Sequence, residues 1–312
     1  MANKLCKCVL LLALATLLLF PHLTTVSADP KNNSVDPENK YALLCASSTF
    51  LYLLDYPEPA RDACIEDYGA IPWAAEHMYA IRDILVNDYG WLPDHFTILL
   101  NEDNTKANVM QGIESLKQYD SPSSLFLIVL CGHGWVVEDE NGDETAYPPT
   151  PGTTRKGVDP WDECWQPYDG IPGGQGKATN MVNFIIDDEF KLLFDGFRGQ
   201  LVVQFMACCG SGLIEDIAGP NRLAIGVGNA DRLEMHWGYF LDGYFYGIDF
   251  YLWYALSGCT EIPHVNLDLN PDSNGDGKVS VEEAWVWANQ AFAATDPNII
   301  NYGGPLKMYM VD

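Results

Sequence analysis

Two short segments of the sequence combine a nucleophile or a base with glycine. Residues 131–134 read Cys-Gly-His-Gly, and residues 208–212 read Cys-Cys-Gly-Ser-Gly. Each follows an apolar run, 124–130 or 201–207, that predicts a fully buried strand. An imidazole beside a thiol favours the reactive thiolate, and glycines let backbone N–H groups face a developing oxyanion. The pattern therefore predicts a Cys–His pair that attacks a carbonyl carbon.

The two segments can meet only if their strands are neighbours in one sheet. Apolar residues at helical spacing predict helices over 73–86 and 105–116, with a strand over 95–100 between them. After an irregular stretch at 136–180, the order resumes with a helix over 187–197, a strand over 222–228 and a helix around 244–256. Strands that alternate with helices predict an α/β fold, a three-layer α/β/α sandwich with a mostly parallel sheet. The carboxyl ends of such strands share one edge, where active sites form.

Several motifs in this order resemble those of the caspase, metacaspase and legumain group of cysteine peptidases. They are Gly-His-Gly at 132–134, the acidic stretch 159–163 leading to Pro167-Tyr168-Asp169, the run 185–189, and the cysteine motif. The resemblance implies a caspase-like fold and hydrolysis of a protein or peptide substrate. It implies that the Cys209 thiolate forms an acyl-enzyme and that His133 protonates the leaving amine. Backbone N–H groups of Gly134 and Cys209 would hold the oxyanion.

The choice between the two adjacent cysteines depends on which family pattern is matched. The metacaspase Cys-x-Ser-Gly pattern falls on residues 209–212 and selects Cys209, which we prefer. The caspase Ala-Cys-x-Gly pattern selects Cys208 instead. Ala207 stands where metacaspases have an aspartate that selects Arg or Lys. The residue preferred before the cleaved bond therefore stays open among Arg or Lys, Asn and Asp.

Residues 272–283 match the twelve-residue calcium loop of an EF-hand. Gly277 occupies the turn position, and the following segment 281–292 has helical character. Because proline and asparagine interrupt the preceding residues, we predict a single half EF-hand of structural type that binds Ca²⁺. The predicted ligands are Asp272, Asn274, Asp276, the Lys278 carbonyl, Ser280 and Glu283.

A second calcium site is suggested by the family resemblance. Asp169, Asp187, Asp188 and Asp216 match positions that bind an activating calcium in calcium-dependent metacaspases. Four carboxylates near one cleft would repel one another unless a cation or protons neutralised them. N-terminal capping of a helix by Asp187 or Asp188 is the alternative.

The first residues predict export. Lys4 and Lys7 precede a short apolar run, and small residues end at Ala28, which is typical of a cleaved signal peptide at 1–28. We expect a linker at 29–40, a catalytic domain at 41–260 and a C-terminal segment at 261–312 that packs on it. Cleavage would leave 15 basic and 43 acidic residues, a net charge of −28. This charge argues against nucleic acid and anionic membranes as partners and fits a secreted or extracytoplasmic protein.

The cysteine count also indicates a free thiol. Without the leader, seven cysteines remain, at 45, 64, 131, 164, 208, 209 and 259, so in an oxidising compartment at least one stays unpaired. The competing interpretations are a catalytically inactive caspase-like binding or adhesion protein, a dockerin-like calcium module on a structural scaffold, and a zinc enzyme. Disulfides on both Cys208 and Cys209 would favour the inactive relative.

Overall fold

The computed structural model describes residues 35–51, 71, 73–138, 161–171, 182–214, 217, 219–227, 238–241, 244–258, 270–294 and 306–310. The helices are α1 (Ala74–Tyr89), α2 (Lys106–Leu116), α3 (Asp187–Phe194), α4 (Gly210–Leu213), α5 (Ile248–Leu256) and α6 (Val281–Ala294). The strands are β1 (Lys40–Ala46), β2 (Phe96–Leu100), β3 (Leu125–Cys131), β4 (His133–Glu138), β5 (Trp161–Gln166), β6 (Ile185–Ile186), β7 (Gln200–Met206), β8 (Arg222–Val227), β9 (Gly238–Leu241), β10 (Tyr244–Gly247) and β11 (Leu306–Met310).

A six-stranded sheet forms the centre of the fold. Its strand order is β11-β8-β7-β3-β1-β2, and β3 lies between β1 and β7. Five of its strands, β1, β2, β3, β7 and β8, run parallel, whereas β11 is antiparallel to β8. The carboxyl ends of β3 and β7 therefore lie side by side at one edge of the sheet.

Helices cover both faces of this sheet. Residues alternate along each strand, so that Leu44 and Val202 pack with α1, α5 and α6 in one apolar layer. Leu43 and Val203 point the other way and pack with α2 and α3 in a second layer. The predicted α/β/α sandwich with a mostly parallel sheet is therefore confirmed.

Local sequence signals set the ends of two of these helices. Thr105 precedes α2, and its hydroxyl accepts a hydrogen bond from the Asn108 N–H at 3.3 Å, which caps the helix. Gly90 ends α1 in the left-handed conformation with φ 65°, which glycine adopts without a steric penalty. Both helices match the predicted segments within a few residues.

A second, smaller sheet takes up part of the stretch expected to be irregular, since β5 lies within 136–180 and β4 extends into it. Strands β4, β5 and β6 form an antiparallel sheet, with β5 in the middle. Strand β10 and helix α5 together occupy the range predicted as one helix, because the chain pairs β10 with β9 before α5 starts. These strands depend on pairing between distant segments, which spacing along the chain does not reveal.

The C-terminal residues belong to the same core as the rest of the sandwich. Ala284 and Trp287 of α6 are buried in the apolar layer that contains α1 and α5, and β11 pairs with β8 along five residues. The predicted leader at 1–28 lies outside the described residues, which begin at Val35. Within the described part of the chain, no helix is both long and apolar enough to span a bilayer.

Candidate active site

The two glycine-containing segments meet at the carboxyl edge of the sheet. Cys131 is the partner of Met206 in the last register position of β3 and β7, and the Gly132 N–H donates to the Met206 carbonyl at 3.2 Å. A Cβ atom built on Gly134 would lie 1.7 Å from the Cys208 carbonyl oxygen. The backbone around His133 therefore contacts the backbone that carries the cysteine pair, as the sequence predicted.

The glycines that flank His133 are required by packing. A Cβ on Gly132 would lie 3.0 Å from both the Gln166 carbonyl oxygen and the Trp165 indole nitrogen. A side chain at Gly134 would overlap backbone atoms of Cys208, which cannot rotate away. Glycine at both positions lets β4 pass between β5 and the turn that carries Cys208 and Cys209.

His133 is half-buried and is the first residue of β4, where it pairs with Gln166 of β5. Its ring centroid lies 5.0 Å from that of Phe50. Gln166 is fully buried, accepts a hydrogen bond from the Trp135 indole N–H at 3.2 Å and donates to the Gly170 carbonyl at 2.9 Å. This bonding holds β5 next to the histidine. Sequence reasoning did not identify Trp165 or Gln166, because β5 lies in the stretch expected to be irregular, and it did not identify Phe50, which follows β1.

Cys209 has a strained backbone at the turn from β7 into α4. Its φ is 56° and its ψ is 14°, and every other non-glycine residue with positive φ in the described ranges is an asparagine. A left-handed conformation costs an ordinary L-residue about 1–2 kcal/mol. The Cys209 carbonyl accepts hydrogen bonds from the Gly212 and Leu213 N–H groups at 3.0 and 3.3 Å. Strain of this kind concentrates at functional sites, where surrounding contacts hold it.

Both adjacent cysteines are buried. Cys209 has no exposed surface, and Cys208 is 7% exposed. Cys45, Cys131 and Cys164 are buried as well, while Cys64 and Cys259 lie outside the described residues. A substrate could reach Cys209 only after the residues that cover it moved.

Two of the remaining cysteines are unsuited to nucleophilic chemistry. Burial raises the pKa of Cys45, and burial together with the charges of Asp187, Glu163 and Asp162 raises the pKa of Cys164 well above its ordinary value. Neither thiol forms thiolate near neutral pH. The described candidates for a nucleophile are therefore Cys131, Cys208 and Cys209, which lie at or beyond the ends of β3 and β7.

Buried carboxylates lie close to the turn that carries Cys208 and Cys209. Asp162, Glu163 and Asp187 are each at most 4% exposed. A Cβ on Gly212 would lie 2.2 Å from the Glu163 carboxyl carbon, so this side chain packs directly against α4. The Glu163 N–H donates to an Asp187 carboxylate oxygen at 2.8 Å, which ties β5 to the first residue of α3. The acidic motif found in the sequence thus supports the turn that holds Cys209.

Two other histidines have structural surroundings. His95 lies just before β2, and its Nδ1 is 3.0 Å from the Lys40 carbonyl oxygen. His77 is buried in α1, and its ring stacks on Phe250 at 4.0 Å. The remaining histidines, at positions 22, 236 and 264, lie outside the described residues. Of the described histidines, His133 alone lies at the edge that carries the cysteines.

The loop at 272–283 is closed by hydrogen bonds from its backbone. The Asp272 carboxylate accepts from the N–H groups of Gly275, Asp276 and Gly277 at 2.8–3.1 Å. The Glu283 carboxylate accepts from the N–H groups of Ser273, Asn274 and Ser280, and it thereby joins the end of the loop to its start.

The predicted ligand atoms of this loop suit calcium. Gly277 has φ 84°, as the turn position requires, and the predicted ligand atoms are all oxygens, which Ca²⁺ prefers. Partial burial acts to raise the pKa of Glu283, but hydrogen bonds from Ser280, Ser273 and Asn274 outweigh it and lower the pKa. Glu283 is therefore the ionised carboxylate that a calcium ligand must be.

The carboxylates of the second predicted calcium site make other contacts. Asp169 accepts a hydrogen bond from the Lys106 N–H at the start of α2, at 2.8 Å. Asp187 accepts from Glu163 and, at 2.9 Å, from the Asp188 N–H. The N-cap of α3 is Ile186, so neither aspartate occupies the cap position itself. Asp216 lies outside the described residues. In the parts of the chain that are described, no three His, Cys, Asp or Glu side chains group to hold a metal ion.

Comparison with known proteins adds a distant structural similarity. No protein-family model matches the chain, and no curated protein matches its sequence. Among solved structures, the chain is similar to the crystal structure of protein GSU0716 from Geobacter sulfurreducens, with 15% sequence identity and a TM-score of 0.48. The similarity covers 88% of this chain and 94% of that chain. Similarity at this level carries no inference about the site, and the α/β/α fold stands on the strands and helices described above.

Proposed function

We propose that the chain is a cysteine endopeptidase of the caspase, metacaspase and legumain type, with His133 and Cys209 as its catalytic pair. The observation that carries this proposal is the contact between the Gly134 and Cys208 backbones at the carboxyl edge of the sheet. The contact joins the segment that bears the imidazole to the segment that bears the thiols. The sequence motifs indicate a peptide as the substrate.

Within this proposal, Cys209 is a better choice of nucleophile than Cys208. Cys209 occupies the strained turn between β7 and α4, and backbone strain of this kind concentrates at functional sites. His133 promotes thiolate formation, and after attack it donates a proton to the leaving amine as the acyl-enzyme forms. Water then hydrolyses the thioester and releases Cys209.

The test is labelling by peptides that carry a thiol-reactive group after Arg, Lys, Asn or Asp, followed by mapping of the modified residue. We expect label on Cys209 that is lost in Cys209→Ala and His133→Ala and retained in Cys208→Ala. His95→Ala is the matched control, since it removes an imidazole from the opposite edge of the sheet. Label on Cys208 that persists in Cys209→Ala would reverse the assignment within the pair.

The burial of Cys209 favours a second function, that of a catalytically inactive relative that binds a partner through the same fold. In that case the cysteines react with the peptides only after the protein unfolds, in the original chain as in every variant. A comparison of labelling under native conditions and in denaturant separates the two functions.

We also propose that the loop at 272–283 binds Ca²⁺ with a structural role. The loop precedes α6, and Val281 and Trp287 of that helix are buried in the main apolar layer. Calcium would therefore stabilise the whole sandwich, since a ligand that binds only the native state raises stability by mass action. A rise in melting temperature with Ca²⁺ that chelator reverses supports this role, and identical melting curves with calcium and with chelator would contradict it.

A further inference from the structure

Strand β5 carries a buried indole that makes no hydrogen bond. Trp165 has no exposed surface, and its Nε1–H lacks a hydrogen-bond partner in the described part of the chain. A buried donor without a partner costs free energy, because it has given up its hydrogen bonds to water. Such groups are rare in native proteins, and a catalytic role is one of the reasons for which they are kept.

The side chain of Trp165 faces the turn that carries Cys208 and Cys209. Trp165 pairs with Gly134 in the register of β4 and β5, and directly opposite residues of an antiparallel pair point to the same face of the sheet. On that face, a Cβ on Gly134 would lie 1.7 Å from the Cys208 carbonyl oxygen. The indole therefore lies on the side of the small sheet against which this turn packs.

Two further observations support this orientation. Glu163 lies two residues before Trp165, on the same face of β5, and its side chain packs against Gly212 of α4. Trp165 also belongs to the apolar cluster that contains Ala207 and Leu213, the residues on either side of the turn. Strand β5 thus directs a carboxylate and an indole towards the residues that surround the proposed nucleophile.

The indole also lies against the segment that contains His133. A Cβ on Gly132 would lie 3.0 Å from the Trp165 Nε1 and 3.4 Å from its Cε2. The N–H group is therefore close to residues 132–134, and Gly134 of this segment is a predicted donor to the oxyanion. A donor of the right kind is buried beside the backbone groups that the reaction needs.

We propose that the Trp165 N–H is a third donor to the oxyanion, a catalytic role that rests on the proposed peptidase function. When the Cys209 Sγ bonds to the substrate carbonyl carbon, the π electrons of the C=O bond move to the oxygen. The indole N–H and the backbone N–H groups of Gly134 and Cys209 donate to that oxygen. The C=O bond forms again as the C–N bond breaks, and the leaving nitrogen takes a proton from His133.

This role accounts for a donor that makes no hydrogen bond in the closed structure. Trp165 and Cys209 are both without exposed surface, so the movement that admits a substrate to the thiol also brings the carbonyl oxygen to the indole. The hydrogen bond strengthens as negative charge develops on that oxygen. Because it is stronger with the oxyanion than with the bound substrate, it lowers the barrier of the chemical step.

The test compares two variants that lose the same atoms. Trp91 is also buried, and its indole N–H likewise has no hydrogen-bond partner among the described residues. It packs with α1 and α5 in the opposite apolar layer, away from the turn that carries the cysteines. Trp91→Phe is therefore the matched control for Trp165→Phe, and urea unfolding of both gives the folded fraction to which the binding and labelling results are referred.

The probes are peptides that end in Arg, Lys, Asn or Asp and carry either an aldehyde or a vinyl sulfone. The aldehyde forms a tetrahedral adduct with the thiol, with its oxygen in the oxyanion position, whereas the vinyl sulfone alkylates the thiol without such an oxygen. Trp165→Phe should bind the aldehyde roughly 100-fold more weakly and react with the vinyl sulfone at an unchanged rate. Trp91→Phe should be unchanged with both. A purely structural role of Trp165 would weaken both reactions.

The indole proton provides a second measurement, which needs no variant. In NMR, the Trp165 Nε1–H signal of the unmodified chain should shift downfield when the aldehyde adduct forms on Cys209, and the Trp91 signal should not. Equal aldehyde affinity of Trp165→Phe and the unmodified chain, or an unmoved Trp165 signal, would overturn this inference and leave the proposed function standing. If neither probe reacted with a cysteine of the native, unmodified chain, the proposed function and this inference would both be wrong.

Discussion

Replacement of Gly134 by alanine tests the contact that the proposed active site depends on. The added Cβ would lie 1.7 Å from the Cys208 carbonyl oxygen and 2.7 Å from its carbonyl carbon, whereas real Cβ contacts stay beyond 3.0 Å. The two segments must therefore separate by about 1.3 Å, and backbone atoms on both sides have no rotamer that relieves the overlap. We expect a loss of about 3 kcal/mol in the free energy of unfolding, at the upper end of the range for overpacking.

The same displacement moves the histidine segment away from the cysteines. A misplacement of about 1 Å can cost roughly 100-fold in rate, so peptide labelling of Cys209 should slow by about that factor. The measurements are urea unfolding and the labelling rate of the folded fraction. Gly112→Ala in α2 is the control, since its Cβ would meet only the flexible Leu43 side chain, at 3.1 Å, and alanine favours the helix. If Gly134→Ala were as stable and as readily labelled as the unmodified chain, the contact between the two segments would be refuted.

Three further predictions concern other parts of the molecule. Cys209→Gly should be about 1 kcal/mol more stable than Cys209→Ala in urea unfolding. Glycine avoids the left-handed strain at φ 56°, although it also gains more conformational freedom in the unfolded state. Equal stabilities of the two variants would show that the turn is unstrained. Glu283→Gln should weaken Ca²⁺ binding at least about tenfold by calorimetry, since it removes a carboxylate at the bidentate position, while Glu282→Gln should not. Burial raises the pKa of Cys45 and Cys164 above the ordinary 9.0, so at high pH these thiols keep a proton in the folded state that unfolding releases. The free energy of unfolding should therefore be intact below about pH 9 and fall as the pH rises further. Cys45→Ala should make that fall less steep.

The alternation of apolar runs with helical segments was sufficient to predict the central sandwich. Each buried run that precedes a glycine motif became one of the two adjacent strands β3 and β7, because parallel strands with helical connections have few stable arrangements. Local rules also placed α1 and α2, whose ends depend on a glycine and a threonine in the chain itself. The meeting of residues 131–134 with residues 208–212 followed from that topology.

The surroundings of the site could not be predicted in the same way. Trp165 and Gln166 are close to the histidine segment because β4 pairs with β5 across a long intervening stretch, and this pairing leaves little trace in either segment alone. The alternation of Trp135 and Val137 with polar residues is the signal that favours a strand there, but it is short. The complete burial of Cys209 is likewise a result of packing in three dimensions, which motif matching does not describe.

The position of β11 affects the way in which the chain reaches its final state during synthesis. Residues 306–310 pair with β8 as the last strand at that side of the sheet, and they are made long after both cysteine strands. Until they emerge from the ribosome, β8 has a row of unpaired peptide groups that can recruit another nascent chain. A protein shortened before this strand should therefore associate with itself, even though every residue of the proposed catalytic centre is present.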